Sequence, residues 1–309
     1  MDSIDQLNLY AHSSDLKYLI NLDKKNMFPA KILFSGKKGI GKSILAYHLV
    51  NYLFSLDEIN KYDSVNFKIN HNNKSYQLIK NNLHPNFYKI NLDDDKKNID
   101  ISKIRSLISF LNLSTFRDQK RIIFIDDVEY LNLSSINALL KSLEEPNNNT
   151  YFILIHNNEK RITDTLKSRC IEYKLSINYE NNKSIINNIF NDKIFENTSI
   201  DFLRYLITPY LYINFYNLCK NENLEYDKVT IEDLLKHVIS NNLFKKKDFH
   251  KLDIKLYIEI FFRKKAKSEK SDYIFKMYNY FNKKYYEYKK FNIDMESFFL
   301  EFKSKLLNE

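Results

Sequence analysis

The chain has 309 residues, 44% of them hydrophobic, enough apolar material for two or three domains, which excludes a wholly disordered polypeptide. Two cysteines exclude a disulfide framework and a CxxC metal site; with no 18-residue apolar run and no basic-then-apolar leader, a soluble, cytoplasmic protein with no membrane partner is expected. The net charge is +9, and residues 241–309 hold 17 Lys+Arg against 10 Asp+Glu, but these lysines are dispersed among tyrosines and phenylalanines, which favours solvated helix faces over a nucleic-acid-binding block.

The first elements alternate in type. AKILFSG (30–36) reads as a buried strand, and KSILAYHLVNYLFSL (42–56) has helical spacing. NFYKINL (86–92) reads as a second strand. SKIRSLISFLNL (102–113) reads as a helix with Ile104, Leu107, Ile108 and Leu111 on one face. RIIFIDD (121–127) is a third strand. LSSINALLKSLEEP (133–146) is a helix with Ile136, Leu139, Leu140 and Leu143 inward, stopped by Pro146, and YFILIHN (151–157) is a fourth strand. Strands alternating with helices predict an α/β domain over residues 1–176, with a mostly parallel sheet covered on both faces. IEYKL (171–175) is strand-like, and past Leu175 the strand signals stop. A small helical unit is expected over 177–222, and an aromatic-rich helical one over 223–309.

All three glycines, Gly36, Gly39 and Gly41, lie within GKKGIGKS (36–43). Other turns can use Asn or Asp, but a loop that wraps phosphate with successive backbone N–H groups needs glycine's conformations and its lack of a side chain. The stretch fits G-x-x-x-x-G-K-[ST], the P-loop, with a strand before it and a helix after it. Gly36, Gly39, Ile40, Gly41, Lys42 and Ser43 are thus candidate nucleotide-binding residues. Lys42 would reach the β/γ-phosphates, and the Ser43 hydroxyl would ligate Mg²⁺. The strand RIIFI ends in Asp126, suited to hold Mg²⁺ with Ser43. The following Asp127 is a weaker candidate for orienting an attacking water. ATP or ADP with Mg²⁺ is the expected cofactor, and with no cysteine in residues 56–83 no zinc is expected. His84 has no second ligand nearby, and Cys170 precedes an apolar stretch; both read as structural.

In order, GKKGIGKS, HPNFYKI, IDDVEYLNLSSINALLKSLEEP and FILIHNNEKRITDTLKSRC make residues 25–175 resemble the clamp-loader ATPases of bacterial DNA replication, and within them the delta-prime branch. The resemblance implies an AAA+ P-loop module, a small helical lid (177–222) and a helical collar used in oligomerisation (223–309). It implies tau/gamma and delta clamp-loader subunits as partners, with the sliding clamp and primed DNA reached through the complex. It gives Arg169 of SRC the role of a trans-acting arginine finger toward ATP on a neighbouring subunit. There are departures. His156 stands where the family often has Thr or Ser, Asp127 where many such ATPases have Glu, and TPYLYINFYNLCK (208–220) lacks the lid arginine. Weak or absent ATPase activity of the chain itself is therefore expected. The alternatives are an autonomous P-loop ATPase acting on DNA and a tau/gamma-type ATPase subunit.

Overall fold

Five short apolar runs pair into one parallel sheet in the order β2-β3-β4-β1-β5. The strands are β1 (Lys31–Ser35), β2 (Phe87–Ile90), β3 (Arg121–Ile125), β4 (Thr150–His156) and β5 (Ile171–Lys174). The computed structural model describes residues 3–93, 96–116, 119–145, 149–246, 252–268, 272–291, 293 and 295–307. The two-residue period of a strand divides the sheet between two cores. Ile32, Phe34, Ile122, Phe124, Ile153 and Ile155 face one. Leu33, Ile123, Ile125, Phe152 and Leu154 face the other. Helices α1 (Ser13–Lys24), α2 (Lys42–Phe54) and α3 (Lys74–Lys80) lie over the first. Helices α4 (Ile101–Leu111), α5 (Leu133–Glu144) and α6 (Asp164–Lys167) lie over the second. Covered on both faces, the central strands are apolar through their middles, with buried Ser35, Arg121, Thr150 and His156 only at their ends; each fully buried Ile, Leu or Phe contributes about 1.5–3 kcal/mol.

The expected helices and strands are present with ends shifted by a residue or two. On α4, Ile104, Leu107 and Leu111 are buried and Ile108 partly so; on α5, Ile136, Leu139 and Leu143 are buried and Leu140 half-buried. Helix α5 ends at Glu144; Pro146, expected to stop it, lies outside the described residues. Helices α1 and α3 stand outside the expected elements.

The chain divides into two units, Met1–Asn181 and Asn182–Glu309, the junction falling within α7 (Tyr179–Phe190). The second unit contains α8 (Ile200–Leu203), α9 (Pro209–Asn221), α10 (Ile231–Ser240), α11 (Ile254–Ser268), α12 (Asp272–Phe291) and α13 (Glu296–Leu306). One hydrophobic cluster runs through it from Ile186 to Leu307, so the expected boundary at 222 falls inside a single core. Phe261, Phe262, Tyr285 and Phe298 belong to that core, whereas Tyr286 is 66% exposed. Phe281 packs against Phe298 and Phe302 with ring centroids 5.6 and 5.0 Å apart. Such edge-on aromatic pairs add to the energy of simple burial.

Asparagine does the work of glycine at the helix ends. Among the described residues ten non-glycine residues have positive φ, and seven are Asn: Asn26, Asn82, Asn149, Asn158, Asn191, Asn223 and Asn242. Asn26, Asn82 and Asn223 each follow a helix cap and close a Schellman pair, as in Met27 N–H to Leu22 O at 2.8 Å and Asn26 N–H to Asp23 O at 2.9 Å. The short amide side chain makes the left-handed conformation less costly than for most L-residues.

The segment between α2 and β2 is held by polar contacts. Asn51 donates to Asn73 at 2.9 Å; Asn73 caps α3, and the Glu58 carboxylate accepts from the N–H groups of Lys74 and Ser75 at 2.8 and 3.0 Å. His48 hydrogen-bonds Tyr62 at 2.9 Å, and His84 stacks on Phe54 at 4.0 Å. Burial pushes both imidazoles down to about 4. An unfolded histidine takes up its proton near pH 6.5, so between about 6.5 and 4 the unfolded chain binds more protons. Stability therefore falls as pH drops through that window, by up to about 1.4 kcal/mol per pH unit per histidine. Urea midpoints at pH 7 and pH 5 measure this; His48→Gln and His84→Gln should flatten the dependence, and unchanged slopes would place the acid sensitivity elsewhere.

Candidate phosphate-binding site

The loop 36–41 joins β1 to α2. At Gly36 a Cβ would lie 2.4 Å from the Leu175 carbonyl oxygen, so the close approach of the chain leaving β5 admits no side chain. Gly41 caps α2 at φ 93°, which an L side chain rarely adopts. Ile40 is buried, and its carbonyl lies 2.9 Å from His12 Nε2. The N-terminus of α2 thus follows directly on a turn of backbone N–H groups, an arrangement that favours anions.

Lys42 is buried, and its Nζ donates to the Gly36 and Lys37 carbonyls at 2.9 and 2.6 Å. Burial pushes the ammonium down to about 8, while Asp126, Glu129, Asp127 and Glu159 pull it back up. The Ser43 hydroxyl donates to Asp126 Oδ2 at 2.8 Å. That brings together an alcohol and a carboxylate from beyond the C-terminal ends of β1 and β3, the two strands that flank β4, the oxygen pair a hard cation takes. Burial raises Asp126 to about 6, with Asp127 adding to the effect. These residues fit a nucleotide with Mg²⁺: the loop excludes side chains, the lysine sits behind it and two oxygen ligands converge.

Three further residues, Asn157, Glu129 and Glu159, complete the acidic end around Asp127, and sequence reading missed all three. Asp127, at φ 56°, accepts from the Asn157 side chain at 2.7 Å, and burial raises its carboxyl above the usual range. The Asn157 N–H donates to Glu129 at 2.9 Å. His156, expected at the end of the fourth strand, does end β4, with Nε2 2.9 Å from the Lys160 carbonyl. Asn157, one residue later, is the polar group that reaches the acid. The strand end fixes this, because side chains alternate and His156 already points away. Glu159 accepts from Lys38 of the loop at 3.2 Å and from Tyr130 at 3.0 Å.

Arg169 stands in the turn between α6 and β5. Its Nε donates to Glu144 Oε1 at 3.0 Å, Nη2 donates to the same oxygen, and Nη1 donates to the Thr165 carbonyl at 3.0 Å. Glu144 ends α5, so the arginine turn is tied to the helix before β4. Cys170, read from sequence as structural, is half-buried, and burial raises its thiol to about 11, away from nucleophilic use. Among the described residues, no group of three His, Cys, Asp or Glu could hold a metal ion, and no helix is long and apolar enough to cross a membrane.

The family described as DNA polymerase III, delta subunit, matches residues 11–178, more than half of the chain and all of the sheet with its loop and arginine turn. The chain belongs to this family. Its relatives put it with the delta-prime branch of the clamp-loader subunits that the sequence resembles. DNA polymerase III subunit delta' of Buchnera aphidicola subsp. Schizaphis graminum is 28% identical over 87% of this chain and 82% of its own length. The delta' subunit of Pseudomonas aeruginosa is 31% identical over 32% of this chain and 30% of that protein. The delta' subunit of Bacillus subtilis is matched over 44% of its length, so outside the Schizaphis relative the likeness is concentrated in part of each protein. A gamma-subunit-related protein of Thermotoga maritima superposes with a TM-score of 0.44 at 19% identity, covering 80% of this chain and 76% of that one, a level from which no residue role is carried across.

Proposed function

We propose that this chain works in the cytoplasm as a delta-prime-type subunit of a clamp loader. It would assemble with tau/gamma- and delta-type subunits and help place a sliding clamp on primed DNA. The observation that carries the reading is the SRC turn, which sets a half-exposed guanidinium on a firmly sheeted domain. There Arg169 acts in trans, on ATP held by the next subunit. Its planar fork matches phosphate oxygens better than an ammonium does.

The chain's own loop serves for binding more than for turnover. Gly36, Gly39, Ile40, Gly41 and Lys42 would hold the phosphates of ATP or ADP, and Ser43 with Asp126 would hold Mg²⁺, which when bound neutralises phosphate charge. Asp127 is one methylene shorter than glutamate and gives one oxygen to Asn157. It is therefore poorly placed to align a water, and small misplacements are costly in rate. Residues 223–309 would supply the oligomerising collar.

Nucleotide titration tests the loop. Lys42→Ala should weaken binding about 10- to 100-fold, the loss of a charged hydrogen bond. Wild-type affinity should also decline above about pH 8, where the free Lys42 gives up its proton. Hydrolysis by the isolated chain should stay well below about 1 s⁻¹, the low end for working enzymes, and rise only with partner subunits, clamp and primed DNA. Fast turnover by the isolated chain would favour the autonomous ATPase, which only the intact loop supports. Equal affinity of wild type and Lys42→Ala would make the loop vestigial.

A further inference from the structure

The guanidinium of Arg169 is already paired. Nε and Nη2 both donate to a single oxygen of Glu144, and Nη1 donates to the Thr165 carbonyl. All three nitrogens are thus engaged, and a carboxylate lies where the fork would grip a phosphate. Glu144 is the last residue of α5, where the helix dipole disfavours a negative side chain. Local helix energetics therefore do not explain a carboxylate at this position, and Arg169 offsets its charge. The pair is open to solvent, with side-chain exposure of 31% for Arg169 and 50% for Glu144. An ion pair so exposed contributes little to stability and is readily exchanged. The Arg169 turn is anchored independently of it, by Arg169 N–H to Leu166 O at 3.3 Å and Cys170 N–H to Lys167 O at 3.2 Å.

We infer that Glu144 is a positioning residue for Arg169: its carboxylate parks the fork in the free subunit and yields it to the γ-phosphate of ATP on the neighbouring subunit. This rests on the trans role proposed above for Arg169. Parking has two consequences. The fork is kept from wandering or pairing with other carboxylates. In addition, the neighbour's nucleotide must displace Glu144, which lowers the fraction of competent arginine and so the apparent affinity. Glu144 competes only for the fork. Once the γ-phosphate holds the fork, the carboxylate no longer acts, so maximal turnover is not its domain.

The test compares reconstituted complexes carrying wild type, Glu144→Gln, Glu144→Asp, Arg169→Ala and Glu144→Gln/Arg169→Ala, with half-saturating ATP and maximal turnover read separately. Glu144→Gln keeps the shape but not the charge and should lower half-saturating ATP by about 1.5- to 5-fold, the range of an exposed ion pair, with maximal turnover unchanged. Glu144→Asp should return toward wild type. In the Arg169→Ala background Glu144→Gln should change nothing. A second readout needs no partner: ¹⁵N NMR of the isolated chain should show an Arg169 Nε–H signal that shifts and exchanges faster with water in Glu144→Gln. If Arg169→Ala is effective while Glu144→Gln leaves half-saturation and the NMR signal as in wild type, the parking role is overturned and the trans role survives. If Glu144→Gln lowers maximal turnover without moving half-saturation, Glu144 does not compete and the inference again fails. If Arg169→Ala itself is silent, the trans role falls and the inference falls with it.

Discussion

Arg169→Ala is expected to cut DNA-stimulated ATP hydrolysis and clamp loading by the reconstituted complex while leaving the subunit folded and assembled. Charge gathers on the outer oxygens of a γ-phosphate as its bond breaks, and a bidentate donor at the rim stabilises it. Where such an arginine acts in trans it is worth about 10³–10⁵ in rate at its own site. On the proposed trans role the variant removes the finger from one site alone, so the whole-complex fall in hydrolysis would be set by that site's share of turnover. Loading, which needs the sites to act together, should fall further. Stability should shift by no more than about 1 kcal/mol, because the Glu144 pair is exposed. Arg169→Lys should rescue little: the charge remains but the fork that spans two oxygens is gone. The measurement is loading rate at saturating ATP and clamp, with assembly checked independently. Indistinguishable rates for Ala and wild type would return Arg169 to an ordinary surface residue.

The second large effect is at Gly36. Gly36→Ala places a methyl 2.4 Å from the Leu175 carbonyl oxygen and 2.9 Å from Ile40 Cδ1. The isoleucine tip can swing aside, but the carbonyl belongs to the chain leaving β5, whose Leu175 N–H donates to Ser35 O at 2.8 Å. Relief must therefore part β1 from β5 at the mouth of the loop. Overpacking of this kind costs about 1–3 kcal/mol. It also displaces the Gly36 carbonyl that holds Lys42. Urea unfolding should show a lower midpoint, and nucleotide affinity should fall at least as far as in Lys42→Ala. Wild-type values for both would mean that the loop relaxes without disturbing the sheet.

The strands were legible because burial on two faces leaves continuous apolar runs, IIFI in β3 and ILF in β1, with the buried polar residues Arg121 and Ser35 only at the strand ends. The phosphate loop was legible because its backbone conformations demand glycine in a chain that otherwise avoids it. Helix α3 was not, since KSYQLIK owes its start to Asn73 and to Glu58, 16 residues upstream of its first residue. Asn157 escaped notice because strand alternation, rather than alignment with the strand's last residue, decides which side chain reaches Asp127. Glu144 lies within NALLKSLEEP and Arg169 within SRC, but nothing in either stretch says that they touch. That contact, 25 positions apart in sequence, exists only once β4 and α6 have folded the intervening residues back. The aromatic content of residues 223–309 pointed to helices correctly but not to their packing, since Phe261, Phe262, Tyr285 and Phe298 close an internal core.

The asparagines at the helix ends have a practical consequence. Each holds a left-handed backbone that glycine would adopt without steric cost, although glycine would also lose more freedom on folding. The fold therefore carries unspent tolerance at Asn26, Asn82, Asn223 and Asn242, four places where an engineer can exchange side chain for backbone ease without entering either core of the sheet or the phosphate loop.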